Sequence, residues 1–327
     1  NSISLDLRPI TRFYQRFQVS SVEQDSADMT DPQYNPDFAL STDYLLFVHG
    51  FNMDTDAKKY WTETIFKRLW WQGYKGQIGI FEWPNGMLPY YDASEYNAWR
   101  CAAALFNRMN ILNLGGYRVN VLAHSQGNVV MGGALRLASG QVINTYVASQ
   151  AAIAADCYQA GLPEYFNEYT TPNVFAIYPE TGKPYLQGAV VGAKHVYSFY
   201  NADDYALRRA TIGSWEMNNK MKPNNDYDYH NSDGDVNNYA YPNDYFIHYT
   251  IVASTLFFPG NRDEIFSYAA EARARALGVL SDVNGFSGFN LQTMNYNNNS
   301  YSHSRQYRSN IVDEWLYWQE VKVKCDF

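Results

Sequence analysis

A serine between two small residues is the first feature of this sequence that could do chemistry. In the segment VLAHSQGNVV, Ser125 separates an apolar run from a helix-forming run, with Ala123 and Gly127 two positions to either side. A serine on such a strand-to-helix turn directs its Oγ above the sheet, beside the free N–H groups of the helix. The small residues are needed because the two backbones approach closely there. We interpret Ser125 as a nucleophile; the alternative is a serine that only caps the helix starting near Asn128.

Such a serine needs a histidine that accepts its proton and a buried carboxylate that orients the histidine. Asp203 and Asp204 come directly after a predicted strand, where catalytic groups gather in parallel sheets. His303 lies in a polar loop after a later predicted strand. His248 lies inside the apolar segment YFIHYTIVAS, where a lone histidine is more often a core residue. Each of these residues is a candidate partner of the serine.

The elements that must position these residues alternate between strand and helix. Short apolar runs buried on both faces predict parallel strands, and longer runs with helical spacing predict the helices between them. The predicted strands cover 43–48, 76–84, 117–123, 142–149 and 195–201, and the predicted helices 54–74, 94–112 and 128–139. This order is typical of an α/β fold with a mostly parallel, doubly wound sheet.

The rest of the chain divides around this core. We expect residues 1–40 to be an N-terminal extension that packs on the core, which covers 41–207 and 285–327. Two stretches rich in Tyr, Asn, Pro and Asp interrupt it: an insertion at 156–190 and a longer one at 208–284 that would form a cap or lid. A last strand, GFNLQTMNY, and a terminal helix, SNIVDEWLYWQEV, complete the core. The helix would bury Ile311, Trp315 and either Trp318 or Leu316.

In these motifs the chain resembles the α/β-hydrolase family, specifically its lipase- and esterase-like members, from about residue 41 to the C-terminus. The segment AHSQG is similar to the family's G-x-S-x-G nucleophile elbow, with Ala123 at the first position as in some lipases. The segment FVHGFN, residues 47–52, resembles the His-Gly-x loop that helps to bind the oxyanion. The resemblance implies that the oxyanion hole consists of the backbone N–H groups of Phe51 and Gln126.

The resemblance also implies a triad in the chain order serine, acid, histidine. It favours Asp204 as the acid, with Asp203 as the alternate, because the family's acid lies a few residues past its strand. It favours His303 as the base, with His248 as the alternate, because a strand, a loop with histidine and a final helix is the family's arrangement. The implied reaction is hydrolysis of a small-molecule or polymeric carboxylic ester through an acyl-enzyme, without a cofactor or metal.

Two other hypotheses remain. The chain could be a non-catalytic protein of the hydrolase fold that binds a partner through its Tyr- and Asn-rich cap. The segment NSDGDVNN, which contains Asp233, is similar to a calcium loop in its alternating oxygen ligands, but its glycine and the missing Glu at the twelfth position favour a solvated loop.

Composition excludes some partners. The 25 basic and 33 acidic residues give a net charge of -8 without a basic cluster, which argues against nucleic acid. No run approaches the roughly 20 apolar residues of a membrane-spanning helix. The three cysteines, Cys101, Cys157 and Cys325, fit neither a zinc site nor a complete disulfide framework. The 29 tyrosines and the many asparagines favour a secreted or periplasmic protein, with a cytoplasmic one as the alternative.

Overall fold

The structure is a computed structural model, and most of the described residues belong to the predicted core. It describes residues 14–21, 24, 26–29, 41–85, 94, 97–98, 100–153, 158, 189–202, 204, 207, 277–281, 283, 285–294, 303–307 and 314–327. Most of the predicted insertions, 156–190 and 208–284, lies outside these residues. None of the helices in the described residues is both long and apolar enough to cross a membrane.

Eight strands form one mixed sheet. They are β1 (Gln15–Gln18), β2 (Asp28–Met29), β3 (Asp43–Val48), β4 (Gln77–Glu82), β5 (Arg118–His124), β6 (Ile143–Ser149), β7 (Ala193–Tyr200) and β8 (Ser287–Asn290). Their order across the sheet is β2-β1-β4-β3-β5-β6-β7-β8. Only β2 runs antiparallel to its neighbour; the other pairs are parallel. The predicted α/β class with a mostly parallel sheet is therefore confirmed.

The sheet reverses its winding direction next to β3. The chain passes from β3 to β4 on one side, and then returns to β5 on the other side of β3. In open α/β sheets, ligands bind in the crevice at the carboxyl ends of the strands where the order reverses. His49-Gly50 and Ser125 follow the two strands at this point, so the sheet brings the two sequence motifs together.

In the described residues, four α-helices cover the two faces of the sheet. They are α1 (Thr55–Trp71), α2 (Ala102–Leu114), α3 (Gly127–Arg136) and α4 (Glu314–Lys324). The Asp54 carboxylate caps α1 by accepting from the Ala57 N–H at 2.7 Å, a contact that contributes about 1 kcal/mol to helix stability. After α1, Gly73 adopts a φ of +88°, a left-handed conformation that glycine enters without steric cost.

Alternate residues of the central strands point into two cores. Leu46 and Val48 of β3 pack in the cluster that includes Leu105 of α2 and Val130 of α3. Leu45 and Phe47 pack on the opposite face, in a cluster with side chains of α1 and α4. Each such side chain contributes roughly 1.5–3 kcal/mol when it leaves water. Burial on both faces explains why these strands appear in the sequence as continuous apolar runs.

The C-terminal part differs from the prediction in two places. The predicted last strand ends at Asn290, and Leu291–Met294 form a 3-10 helix. In α4, Trp315 is 37% exposed, so the prediction that it faces the core is wrong, whereas of the alternatives Trp318 and Leu316 it is Trp318 that is buried. Ile311 lies outside the described residues. The helix also buries Tyr317 and Val321, and Cys325 directly after its end is buried as well. Apolar side chains occur on all sides of this helix. Those that face α1 and the aromatic side chains beside it are buried.

Candidate active site

Ser125 occupies a sharp turn between β5 and α3. Its φ is +52°, in the left-handed region that costs a residue with a Cβ roughly 1–2 kcal/mol. Its carbonyl oxygen accepts hydrogen bonds from the Asn128 N–H at 3.1 Å, the Asn128 Nδ2 at 2.9 Å and the Ala152 N–H at 3.0 Å. Asn128 is in turn held by the Tyr146 hydroxyl, which donates to its Oδ1 at 2.8 Å. These bonds hold the turn in its strained conformation, and Ser125 is 7% exposed.

Two glycines allow the strand, the turn and the loop after β3 to approach one another. A Cβ at Gly127 would lie 2.5 Å from the carbonyl oxygens of both Val48 and His49. A Cβ at Gly50 would lie 2.8 Å from the Cβ of Ser125. Both distances are shorter than side chains tolerate, so the sequence requirement for a small residue at position 127 has a direct steric cause. The loop 49–52 therefore lies against the serine turn.

His49 fixes the conformation of that loop. Its Nδ1 lies 2.9 Å from the Gly50 carbonyl oxygen, and its Nε2 accepts from the Trp83 N–H at 3.3 Å. The Trp83 indole N–H donates to the His49 carbonyl oxygen at 2.8 Å, and the two rings stack. Burial lowers the pKa of His49 well below 6.5, so the ring is neutral with its proton on Nδ1. In a trans peptide, a held Gly50 carbonyl directs the Phe51 N–H to the opposite side.

Asp204 and His303 are joined although 99 residues separate them in the chain. His303 Nδ1 lies 2.7 Å from Asp204 Oδ2. Asp204 is fully buried, and its Oδ1 accepts from the Leu207 N–H at 3.2 Å. A buried carboxylate accepts a hydrogen bond from the Nδ1–H group, and this leaves Nε2 of the imidazole as the basic atom. The pair has the geometry of a carboxylate that orients a general base.

His124, the neighbour of the serine, attaches the His303 segment to the turn. Its Nε2 lies 2.8 Å from the His303 carbonyl oxygen, and the two imidazole rings are 4.8 Å apart. Because a carbonyl oxygen only accepts, Nε2 carries the proton, and the buried Nδ1 has no partner among the described residues. Burial, followed by the nearby His303, lowers the pKa of His124 well below 6.5. His124 therefore stays neutral beside the proposed base.

This burial predicts how stability depends on pH. The pKa of His124 is depressed in the folded protein, so the unfolded chain binds this proton first, near pH 6.5. The contribution of the neutral ring is complete above that pH and declines as the pH falls below it. In His124→Gln, whose amide nitrogen can still donate to His303, the free energy of unfolding should fall less steeply between pH 6.5 and 5, by about 1.4 kcal/mol per pH unit. Urea unfolding of both proteins at several pH values measures the difference, and equal slopes would contradict it.

Two glutamines that the sequence analysis missed also lie at the site. Gln150 follows β6 directly, with a φ of +43°, and its Nε2 donates to Asp204 Oδ2 at 2.6 Å. Gln306 lies in a 3-10 helix, Arg305–Tyr307, and its Nε2 donates to Gln150 Oε1 at 2.8 Å. The position of Gln150 at the carboxyl end of a parallel strand is the same signal that led to Asp204. Gln306 carries no comparable signal.

The structure brings Ser125, Gln126, Asp204 and His303 to the carboxyl end of the sheet, with Phe51 in the adjoining loop. The Gln126 side chain is buried and accepts from the Ser94 hydroxyl. The alternates Asp203 and His248 lie outside the described residues, as does the Asp233 segment. In the part of the chain that the structure describes, no three His, Cys, Asp or Glu side chains form a group that could hold a metal ion.

Comparison with protein families and curated proteins does not identify the function, so the geometry of the site is the basis for inferring it. No protein-family model matches the chain. No curated protein matches it either.

Proposed function

We propose that this protein is a serine hydrolase of the α/β-hydrolase fold that cleaves carboxylic esters. The observation that carries the proposal is the His303–Asp204 hydrogen bond of 2.7 Å, held next to the strained turn of Ser125. Backbone strain of this kind persists where the surrounding structure enforces it, and it is concentrated at functional sites. The winding reversal of the sheet beside β3 supports the same location for a site.

In the proposed reaction, Ser125 Oγ attacks the ester carbonyl carbon while its proton passes to His303 Nε2. The tetrahedral intermediate collapses, the C–O bond to the alcohol breaks, and the alcohol leaves with the proton from His303. A water molecule then attacks the acyl-enzyme with His303 again as the base, and the acid product and free Ser125 are released. Asp204 stays ionised throughout and stabilises the imidazolium.

The oxyanion is stabilised in this proposal by two backbone donors, the N–H groups of Phe51 and Gln126. His49 supports the first, since it holds the Gly50 carbonyl through the contact of 2.9 Å. The N-terminus of α3 supports the second, because the helix dipole favours negative charge there. Each donor of this type contributes on the order of a hundredfold to a thousandfold in kcat.

The substrate class in this proposal is a small-molecule or polymeric carboxylic ester, whose carbonyl carbon Ser125 attacks and whose alcohol leaves with the proton from His303. The insertions 156–190 and 208–284 follow β6 and β7 in the chain, and both strands end at the edge of the sheet that carries the serine turn. Acyl and alcohol preference would therefore reside in these insertions. Leu277 and Gly278 support this placement, because their N–H groups donate to the Ile153 and Ala151 carbonyls beside the serine turn.

A pre-steady-state burst tests the proposal. We expect a short-chain p-nitrophenyl ester to release p-nitrophenol in a rapid first phase of one equivalent per protein, followed by a slower steady rate, because acylation precedes hydrolysis of the acyl-enzyme. Butyrate and acetate esters would be compared so that at least one has slow deacylation. A folded protein that releases p-nitrophenol no faster than buffer would contradict the proposal and favour the binding-protein hypothesis.

A further inference from the structure

The proposed acid shares one oxygen between two donors. Asp204 Oδ2 lies 2.7 Å from His303 Nδ1 and accepts from Gln150 Nε2 at 2.6 Å. The orientation of the Gln150 amide is set by its chemistry, since its Oε1 would repel a carboxylate while its Nε2 donates to one. Gln150 is 1% exposed, so water does not substitute for this donor. The carboxylate therefore depends on a neutral amide as well as on the histidine.

A second amide holds the first. Gln306 Nε2 donates to Gln150 Oε1 at 2.8 Å, and Gln306 is 1% exposed. Gln306 lies three residues after His303, and its carbonyl oxygen accepts from the Trp318 indole N–H at 3.1 Å. The side chains of Gln150 and Gln306, here called the amide bridge, thus connect the segment of the base to the acid by a second route beside the direct hydrogen bond.

The backbone at Gln150 is held in a conformation that a glycine would adopt more easily. Its φ is +43°, and its N–H donates to the Phe199 carbonyl oxygen at 2.8 Å. Gly278 packs against it so closely that a Cβ there would lie 2.5 Å from the Gln150 carbonyl carbon. A glutamine in left-handed conformation, buried and aimed at the acid, indicates that its side chain has a role.

We infer that Gln150 is a positioning residue for the proposed reaction and that Gln306 positions Gln150. This role rests on the proposed function. A buried carboxylate requires hydrogen-bond donors to remain ionised. By donating to Oδ2, the amide bridge fixes the carboxylate that orients the His303 imidazole and limits the attraction of that oxygen for the Nδ1 proton. Titratable side chains that pack around this pair include His124, which is neutral, and Tyr307, whose pKa burial raises to about 12.

The test compares Gln150→Leu, Gln306→Leu and the double variant by kcat, KM and the pH dependence of kcat/KM for p-nitrophenyl butyrate. Gln150→Leu should lower kcat roughly 10- to 100-fold with KM within about twofold, as for groups that orient a reacting residue. The acidic limb of its pH profile of kcat/KM should shift to higher pH by about half to one unit, because the carboxylate then attracts the His303 Nδ1 proton more strongly. Gln306→Leu should show a smaller change in the same direction.

The double variant distinguishes a shared route from two separate defects. If Gln306 acts through Gln150, the double variant should match Gln150→Leu rather than the product of the two losses. The control is Gln77→Leu, which removes a buried amide that donates to the Tyr117 hydroxyl at 3.0 Å at the opposite end of the sheet. Its kcat and acidic limb should equal those of the wild type.

The outcomes separate this role from the proposed function. Unchanged kcat and an unchanged acidic limb in Gln150→Leu, with an active wild type, would overturn the role alone. A folded wild type that releases p-nitrophenol no faster than buffer would overturn the proposed function and this role with it. If Gln150→Leu does not fold, Gln306→Leu decides, because an unmoved acidic limb in that variant also overturns the amide bridge.

Discussion

Ser125→Ala should lower kcat/KM for ester hydrolysis by on the order of a millionfold, close to the uncatalysed rate plus what the oxyanion donors retain. The hydroxyl is the atom that forms the acyl-enzyme, and no neighbouring side chain on the turn can replace it: Ala123 and Gly127 lack a nucleophile, and Asn128 is occupied with the turn backbone. Steady-state assays with a p-nitrophenyl ester measure the loss.

The same position separates catalysis from folding. Because alanine also has a Cβ, Ser125→Ala keeps the left-handed strain at φ +52° and should leave the free energy of unfolding within about 1 kcal/mol of the wild type. Ser125→Gly relieves that strain and should be the more stable of the two, although equally inactive. The control is Ser198→Ala on β7, a buried serine whose Oγ has no hydrogen-bond partner among the described residues. A Ser125→Ala protein with more than a few per cent of wild-type kcat/KM would exclude Ser125 as the nucleophile.

His303→Ala should cause a loss of similar size, and Asp204→Asn a smaller one of about ten-thousandfold. Without the imidazole, the Ser125 proton has no acceptor. In Asp204→Asn the imidazole is still present, but its Nδ1 proton faces an amide that also donates, and the opposite tautomer then presents an N–H to the serine. Rates of the two variants under identical conditions give the comparison.

His195→Gln is the matched control for these variants. His195 is an exposed histidine near the amino end of β7, far along the strand from Asp204, and its loss should leave kcat/KM unchanged. Asp204→Asn as active as this control would contradict the role of the acid, even if His303→Ala were inactive.

Much of the fold could be predicted because burial leaves a pattern in the sequence. The five central strands appear as apolar runs since both faces are covered, and Asp54 and Gly73 mark the ends of α1. The strands β1 and β2, at one side of the sheet, could not be predicted in this way, because a four-residue and a two-residue strand contain too few apolar positions to show a period. The N-terminal extension thus contributes strands to the sheet that composition did not indicate.

The candidate site divides along a similar line. Ser125 and the His49-Gly50 loop lie in local motifs, and the structure joins Asp204 to His303 across 99 residues. The amide bridge was missed because Gln150 and Gln306 become neighbours only when the ends of β6 and β7 meet the segment after His303. A glutamine has no motif of its own, and its role depends on which donor the acid still requires.

The most direct measurement is reaction with a fluorophosphonate ester probe, followed by mass-spectrometric mapping of the modified peptide. This electrophile reacts with a serine that is activated by a base and an oxyanion hole. We predict one label per protein on Ser125, lost in both Ser125→Ala and His303→Ala and kept in His195→Gln. Absence of labelling in the folded protein, or a label on another residue, would contradict the serine-hydrolase account.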